Sequence, residues 1–159
     1  MAQLKILTEK DPALRKKSRP VTEISPRIQT LLDDMLETMR RADGCGLAAP
    51  QVGILRRVCI VEDEQGELIE LINPEIIKTE GEQTGLEGCL SVPGEFGLVK
   101  RPMHVKVRAQ NRFGEWFEVE GDGLTARCFC HEIDHLEGIV FTSKAERMLT
   151  EEELQSGEY

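Results

Sequence analysis

The stretch His131-Glu132-Ile133-Asp134-His135 carries two histidines four residues apart, with a glutamate directly after the first. On an α-helix, four steps of about 100° bring His135 within about 40° of His131, so both imidazoles can point at one metal ion. Glu132 lies next to this face and can reach a metal-bound water as a proton acceptor without being a ligand. The HExxH pattern therefore predicts a metal-binding helix that supports hydrolysis.

The residues around this motif predict a helix from about residue 123 to residue 137. Asp122 is a candidate N-cap, and Gly138 is a candidate C-terminal stop. Apolar residues spread around much of its circumference, which indicates a helix enclosed by other elements. They are Leu124, Ala126, Cys128, Phe129, Ile133 and Leu136. A buried His-Glu-His cluster is costly unless something pairs with it, which favours a bound metal over two histidines satisfied on a solvated face.

Two histidines do not complete a metal site, and a third ligand must come from elsewhere. The chain continues after His135 without the further histidine of the metzincin pattern. Three candidates have little supporting context: His104, Glu137 and Glu146. Cys89 is favoured, because it lies in Glu87-Gly88-Cys89-Leu90-Ser91, where the glycine permits tight backbone geometry beside a site.

An amphipathic helix is predicted nearer the N-terminus. Ser25 can cap it, and Pro26 suits the first helical position. Its apolar residues recur every three or four positions. They are Ile28, Leu31, Leu32, Met35, Leu36 and Met39. The pattern breaks near Asp43-Gly44, where the helix should end.

Alternating apolar residues predict two β-hairpins between the helices. The strands are predicted over four segments: 58–61, 68–72, 103–110 and 115–120. Polar turns at 64–67 and 111–114 join them, and the first hairpin should close at Asn73-Pro74. A short amphipathic segment, 150–156, follows. The order predicts an α+β fold, with mostly antiparallel sheets enclosing the HExxH helix, an N-terminal amphipathic helix and a short C-terminal helix.

Length and composition limit the classes of protein. The 159 residues suit one catalytic domain over 1–159, and 40% hydrophobic with 31% charged residues indicates a globular chain. A net charge of −9 with seven aromatic residues argues against binding DNA or other nucleic acid. No apolar run is long enough to span a membrane, and no secretory signal is visible. Five cysteines then indicate thiols or metal ligands in a reducing compartment, which predicts a cytoplasmic protein.

Three segments resemble the ordered signature motifs of the peptide deformylases, which remove the formyl group from the initiator methionine of new bacterial and organellar proteins. These segments are Gly44-Cys45-Gly46-Leu47-Ala48-Ala49-Pro50-Gln51, Glu87-Gly88-Cys89-Leu90-Ser91 and His131-Glu132-Ile133-Asp134-His135-Leu136. Their order and separations fit the family, and the resemblance covers most of the chain. The three together are far more specific than any one of them.

The resemblance implies roles for the matching residues. Water would occupy the fourth position of a metal held by Cys89, His131 and His135. Glu132 would take the water's proton and pass it to the leaving amine. Gln51 and the backbone N–H of Leu90 would donate to the oxyanion.

The resemblance also implies a cofactor and a substrate. It implies Fe(II) in the cell, one ion per chain, while a Cys-His-His set equally suits Zn(II), Ni(II) or Co(II) in purified protein. The substrate would be an N-formylmethionyl peptide. Its methionine pocket should be lined by Gly46, Cys45, Leu124 and Cys128.

Some other features qualify this hypothesis. Cys130 stands where much of the family has glutamine, and it points about 160° away from Cys128, so the two cannot ligate one ion. Core packing is expected for Cys128 and for Cys59. Glu87 is expected to pair with a cation such as Arg101 or Arg127 and brace its loop.

The sequence also bears on ribosome association and on two competing functions. The tail at 151–159 is acidic, so ribosomal RNA should repel it, which argues against docking through a basic C-terminal helix. Another HExxH hydrolase, such as a peptidase, is disfavoured by the missing third histidine and by the Cys89 motif. A catalytically silent, metal-stabilised binding protein is disfavoured by Gln51 and Glu132, which structural metal binding does not need.

Overall fold

The N-terminal helix α1 spans Pro26–Arg41 in a computed structural model, which describes residues 2–157. Pro26 occupies the first helical position as predicted, whereas the side chain of Ser25 makes no capping hydrogen bond. The buried face carries Leu32, Met35 and Met39, and it packs on the first two strands of a sheet. The predicted amphipathic helix is confirmed.

Within residues 2–157, eight strands and two further α-helices follow α1. The strands are β1 (Gly46–Ala48), β2 (Val58–Glu62), β3 (Leu68–Glu80), β4 (Gln83–Cys89), β5 (Val92–Arg101), β6 (His104–Gln110), β7 (Trp116–Asp122) and β8 (Ala145–Met148). The helices are α2 (Gly123–Leu136) and α3 (Glu151–Ser156). One sheet has the order β1-β2-β3-β6-β7 and the other β4-β5-β8, and their pairs are antiparallel. The α+β class is confirmed.

The first predicted hairpin, β2–β3, forms, but its predicted end at Asn73-Pro74 is wrong. Strand β3 continues to Glu80 and pairs with β6 beyond an irregularity between Ile72 and Glu75. Asn73 adopts a left-handed φ of 53°, and its side chain accepts from Val21 N and donates to the Val21 carbonyl, each at 2.8 Å. These bonds tie Asn73 to the N-terminal segment, and the proline lies at an irregularity within the strand and does not end it.

The second sheet is absent from the sequence-based expectations. In its β4–β5 hairpin, Cys89 pairs directly with Val92, and the turn between them has two residues, Leu90-Ser91. Cys89 is therefore the last residue of a strand. This position fixes its sulfur more firmly than an irregular loop would.

Helix α2 is enclosed, as its apolar composition predicted. Most of its residues are buried, from Thr125 to Leu136, against β1, β2, β6 and β7. Asp122 lies at the N-cap, but its side chain makes no capping hydrogen bond and instead contacts the His104 ring at 2.5 Å. The Leu124 N–H of the first turn donates to Glu64 Oε1 at 3.2 Å. Gly138, at φ 76°, follows the helix as predicted.

The C-terminal helix α3 follows Thr150, whose side chain accepts from the Glu153 N–H while the Glu153 side chain bonds back to Thr150 N. This capping box confirms the predicted short helix. The acidic tail extends to Glu158 and Tyr159, which lie outside the described residues. Within residues 2–157, no helix is long and apolar enough to cross a membrane.

Candidate metal centre

The structure brings Cys89, His131 and His135 together, with one donor atom of each lying within 4.8 Å of the others. Cys89 Sγ is 3.4 Å from His135 Nε2. Around a tetrahedral ion with metal–sulfur bonds of about 2.3 Å and metal–nitrogen bonds of about 2.0 Å, these atoms would lie about 3.5 Å apart. The donor set and its spacing therefore fit one divalent ion.

Two separate elements supply these donors. Helix α2 places His131 and His135 one turn apart, with ring centroids 5.0 Å from each other. Strand β4 ends at Cys89. The preceding Gly88 is required there, because a Cβ would come within 2.5 Å of the Phe96 ring. The close approach of Phe96 is possible only over a residue without a side chain.

A buried ion-pair network orients His131. Its Nδ1 lies 3.0 Å from Glu87 Oε1, so this nitrogen donates to the carboxylate and Nε2 can ligate an ion. Arg101 donates to Glu87 at 2.8 and 2.9 Å, and Arg127 at 2.5 Å. Burial opposes ionisation of Glu87, but hydrogen bonds from Arg101 and His131 outweigh it and lower its pKa to about 2. The predicted pairing of Glu87 with a nearby cation is confirmed for both arginines.

His135 has the deepest position of the three donors, with 1% of its surface exposed. Burial, together with the nearby His131, lowers the pKa of His135, which keeps the ring neutral and able to ligate. Its Nδ1 has no hydrogen-bond partner among residues 2–157.

Glu132 lies beside the cluster with 4% of its surface exposed. Its Oε1 has no hydrogen-bond partner among the described residues, and the side chain lines a cleft. Burial raises the pKa of Glu132 to about 8, against the opposing effect of His131. Gly46 makes room for this carboxyl, since a Cβ there would come within 2.6 Å of Glu132 Oε2. A divalent cation held by the three neighbouring donors would favour the ionised form of Glu132, and this unpartnered carboxylate could then accept a proton.

Gln51 and Leu90 both lie close to Cys89. Gln51 Oε1 accepts from Ala48 N at 2.9 Å, which turns Nε2 towards Ser91 Oγ at 3.0 Å and Cys89 Sγ at 3.5 Å. Leu90 follows Cys89 in the hairpin turn and also lines the cleft. The Gln51 amide thus borders the cluster, and Leu90 is adjacent to Cys89 in the chain.

The cleft has a volume of about 500 Å³ and opens beside Glu132 and His131. All four residues predicted for substrate contact line it: Cys45, Gly46, Leu124 and Cys128. Leu86 and Phe96 also line it, and sequence reasoning missed both. Strands β4 and β5 carry them, and no motif or spacing relates either residue to α2.

The disfavoured third ligands lie apart from the cluster of Cys89, His131 and His135. His104 contacts Asp122 and Glu120 at the end of β6. Glu137 pairs with Arg57 at 2.6 Å, and Glu146 is exposed on β8.

Fold and site together define a class of protein: an α+β hydrolase whose HExxH helix meets a cysteine from a β-hairpin. Residues 3–151 match the family model described as polypeptide deformylase. The peptide deformylase of Caldanaerobacter subterraneus subsp. tengcongensis is 59% identical over 145 residues, covering 91% of each chain. That of Alkaliphilus metalliredigens is 60% identical over 144 residues, covering 91% of this chain and 97% of the relative.

Solved structures agree with these relatives. A peptide deformylase from Legionella pneumophila has a TM-score of 0.87 at 43% identity, covering 98% of this chain and 90% of its own. The peptide deformylase from Thermotoga maritima has a TM-score of 0.89 at 38% identity, covering 92% and 100%. The chain belongs to the polypeptide deformylase family, the enzymes that remove the N-terminal formyl group from nascent polypeptides.

Proposed function

We propose that this deformylase is metal-dependent and that Cys89, His131 and His135 hold one divalent ion. The observation that carries the proposal is the convergence of these three donors beside the unpartnered carboxyl of Glu132. A thiolate and two imidazoles suit Fe(II), Zn(II), Ni(II) or Co(II), and we propose Fe(II) as the native ion. When bound, such an ion acts as a Lewis acid that brings the pKa of a coordinated water to near 7.

Glu132 is the proposed proton carrier. Its Oε1, which has no partner among the described residues, accepts the proton of the attacking water. The protonated carboxyl then gives that proton to the leaving amine, so formate and a free methionyl N-terminus result. Its buried position keeps bulk water from competing for the proton.

Gln51 and Leu90 are the proposed oxyanion donors. Gln51 Nε2 already points towards Cys89, held by the bond from Ala48 to Oε1. With the Leu90 N–H it stabilises the charge that grows on the formyl oxygen, where loss of one donor costs about 3–4 kcal/mol of barrier. The methionine side chain enters the cleft between Cys45, Leu124 and Cys128.

We propose that the chain works as a single catalytic domain on formyl-methionyl nascent chains in the cytoplasm. Any ribosome association should not depend on α3, because its first turn carries Glu151, Glu152 and Glu153 and would be repelled by ribosomal RNA.

The Glu132→Gln variant tests the proton-carrier role. It should keep its metal and lose at least about 100-fold in formate release from a formyl-Met peptide. Anaerobic purification, elemental analysis and a formate assay measure both quantities. Glu137→Gln is the matched control, because Glu137 follows the same helix but pairs with Arg57 outside the cleft. A Glu132→Gln enzyme that works at the wild-type rate contradicts the proposed role.

Cys89→Ala tests the ligand set separately. Elemental analysis should show little bound metal, because two imidazoles alone leave the ion without its thiolate. Cys59→Ala, which removes a buried thiol from β2, should keep its metal. Undiminished metal in Cys89→Ala would exclude Cys89 as a ligand.

A further inference from the structure

Two cysteine side chains meet in the lining of the cleft. Cys45 Sγ lies 3.2 Å from Cys128 Sγ, and both residues line the cleft. Cys45 is exposed, whereas Cys128 is buried. A disulfide bond is about 2.05 Å long, so the sulfurs need to approach by roughly 1 Å to become bonded.

Packing of the chain around β1 brings these sulfurs together. Cys45 lies between two glycines, and the backbone there is pressed against other elements. A Cβ at Gly44 would lie 2.8 Å from Leu90 Cδ1, and one at Gly46 would lie 2.6 Å from Glu132 Oε2. Cys128 projects from the adjacent helix α2. The sulfur contact thus follows from how β1 packs on α2.

The two thiols also differ in chemistry. A hydrogen bond from the Cys128 thiol lowers the pKa of Cys45 to about 6, although partial burial opposes the shift. The same bond raises the pKa of Cys128, and burial adds to that effect. An exposed thiolate beside a buried thiol is the arrangement of an attacking cysteine with a resolving partner.

We propose that Cys45 and Cys128 form a modification site, which a small-molecule disulfide converts to a reversible intramolecular disulfide at the cleft. The Cys45 thiolate attacks one sulfur of the oxidant R–S–S–R and expels R–S⁻, which leaves a mixed disulfide on Cys45. The Cys128 thiol then attacks the Cys45 sulfur, and its proton leaves with the second R–S group as R–SH. Overall, the two cysteines lose two electrons and the oxidant is reduced to two thiols.

The other cysteines are less suited to this chemistry. The sulfur–sulfur contact of 3.2 Å in the described part of the chain joins Cys45 to Cys128 and includes neither Cys59 nor Cys130. Burial also raises the pKa of Cys59, so this thiol is not suited to be the attacking thiolate. Cys89 is reserved, under the proposed function, for the metal.

The effect on activity rests on the proposed function. If the cleft holds the methionine side chain, the disulfide moves one wall of that pocket by roughly 1 Å. Displacements of this size near a reacting centre can cost about 100-fold. We expect the oxidised enzyme to lose at least about ten-fold in kcat/KM.

The test uses protein loaded with Zn(II), which has no redox chemistry of its own. Glutathione disulfide is added, and the products are measured by intact mass and by tryptic peptide mapping without reduction. Wild type should lose the mass of two hydrogen atoms and yield peptide 42–56 joined to peptide 128–144. Cys130→Ser, whose serine lies in the second peptide, should give the same joined pair. Dithiothreitol should restore both the mass and the activity.

Cys128→Ser is the decisive variant. Without the resolving thiol it should stop at one glutathionyl group on Cys45, and it should form no joined peptide. If wild type, tested at neutral pH, gives no joined pair of these peptides, or joins Cys45 to Cys130, the proposed site is wrong. A joined pair in a protein that never releases formate would instead contradict the proposed function and leave the site standing.

Discussion

Replacing Glu87 by glutamine should destabilise the protein and weaken its metal site together. Glu87 has 5% of its surface exposed and accepts hydrogen bonds from Arg101, Arg127 and His131. The neutral amide would leave two buried guanidinium groups short of a counter-charge, although Arg101 keeps Asp134 at 2.7 Å. Breaking a buried ion pair in this way costs about 3–5 kcal/mol.

Urea unfolding of the metal-free proteins measures this cost without the stabilisation that metal binding adds. Glu137→Gln is the matched control, because Glu137 pairs with Arg57 but 43% of its side chain is exposed. Its loss should stay below about 1 kcal/mol. Competition with a chelator should show about 10- to 100-fold weaker metal binding in Glu87→Gln, since His131 loses its orienting acceptor. Equal unfolding free energies for the two variants would refute the argument from burial.

Two further perturbations test the cleft and the pairing of β6 with β7. Gly46→Ala should lower kcat by about 10- to 100-fold at unchanged metal content, because its Cβ displaces the Glu132 carboxyl. The control is Gly66→Ala, in an open turn at φ 82°, which should cost only stability, about 1 kcal/mol. An equal loss of kcat in Gly66→Ala would contradict the reasoning. Hydrogen bonds that the His104 ring donates to Asp122 and then to Glu120 raise its pKa above the usual 6.5. Their stabilisation is complete below about pH 6.5 and is lost as pH rises through the higher folded pKa, so the Tm of His104→Gln should fall below wild type at about pH 5.5 and converge with it near pH 9. A Tm difference independent of pH would show that His104 acts through packing alone.

The spacing of apolar residues along the sequence predicts the helices and strands in which buried and exposed side chains alternate regularly. Helix α1 has one apolar stripe and a proline at its first position, and β6 alternates Val105 and Val107 with Lys106 and Arg108. In each case, the pattern faces a single core and can be read from neighbouring residues. The predicted end of β3 is wrong because Asn73-Pro74, taken from the local sequence, is a turn signal. In the structure Asn73 bonds to the distant residue Val21, and the strand continues beyond the irregularity.

Local patterns predict only part of the candidate site. The two histidines share one helix turn, so their convergence follows from helix geometry alone. The approach of Cys89 to them depends on the path of β4 and β5, which no local rule supplies, and resemblance to a family provided it. The structure places the three donors together, while their role as metal ligands remains a prediction for the experiments above.

The glycines of β4 explain why that strand was missed. Gly85 and Gly88 interrupt the alternation and are weak strand formers, so the sequence predicts a loop there. In the folded chain, a Cβ at Gly85 would lie 3.0 Å from an Arg127 nitrogen, and one at Gly88 would lie 2.5 Å from the Phe96 ring. Arg127 holds Glu87, and Phe96 lines the cleft. Gly85 and Gly88 therefore interrupt the strand pattern in the sequence, and the same two residues allow Arg127 and Phe96 to pack closely against β4 beside the site.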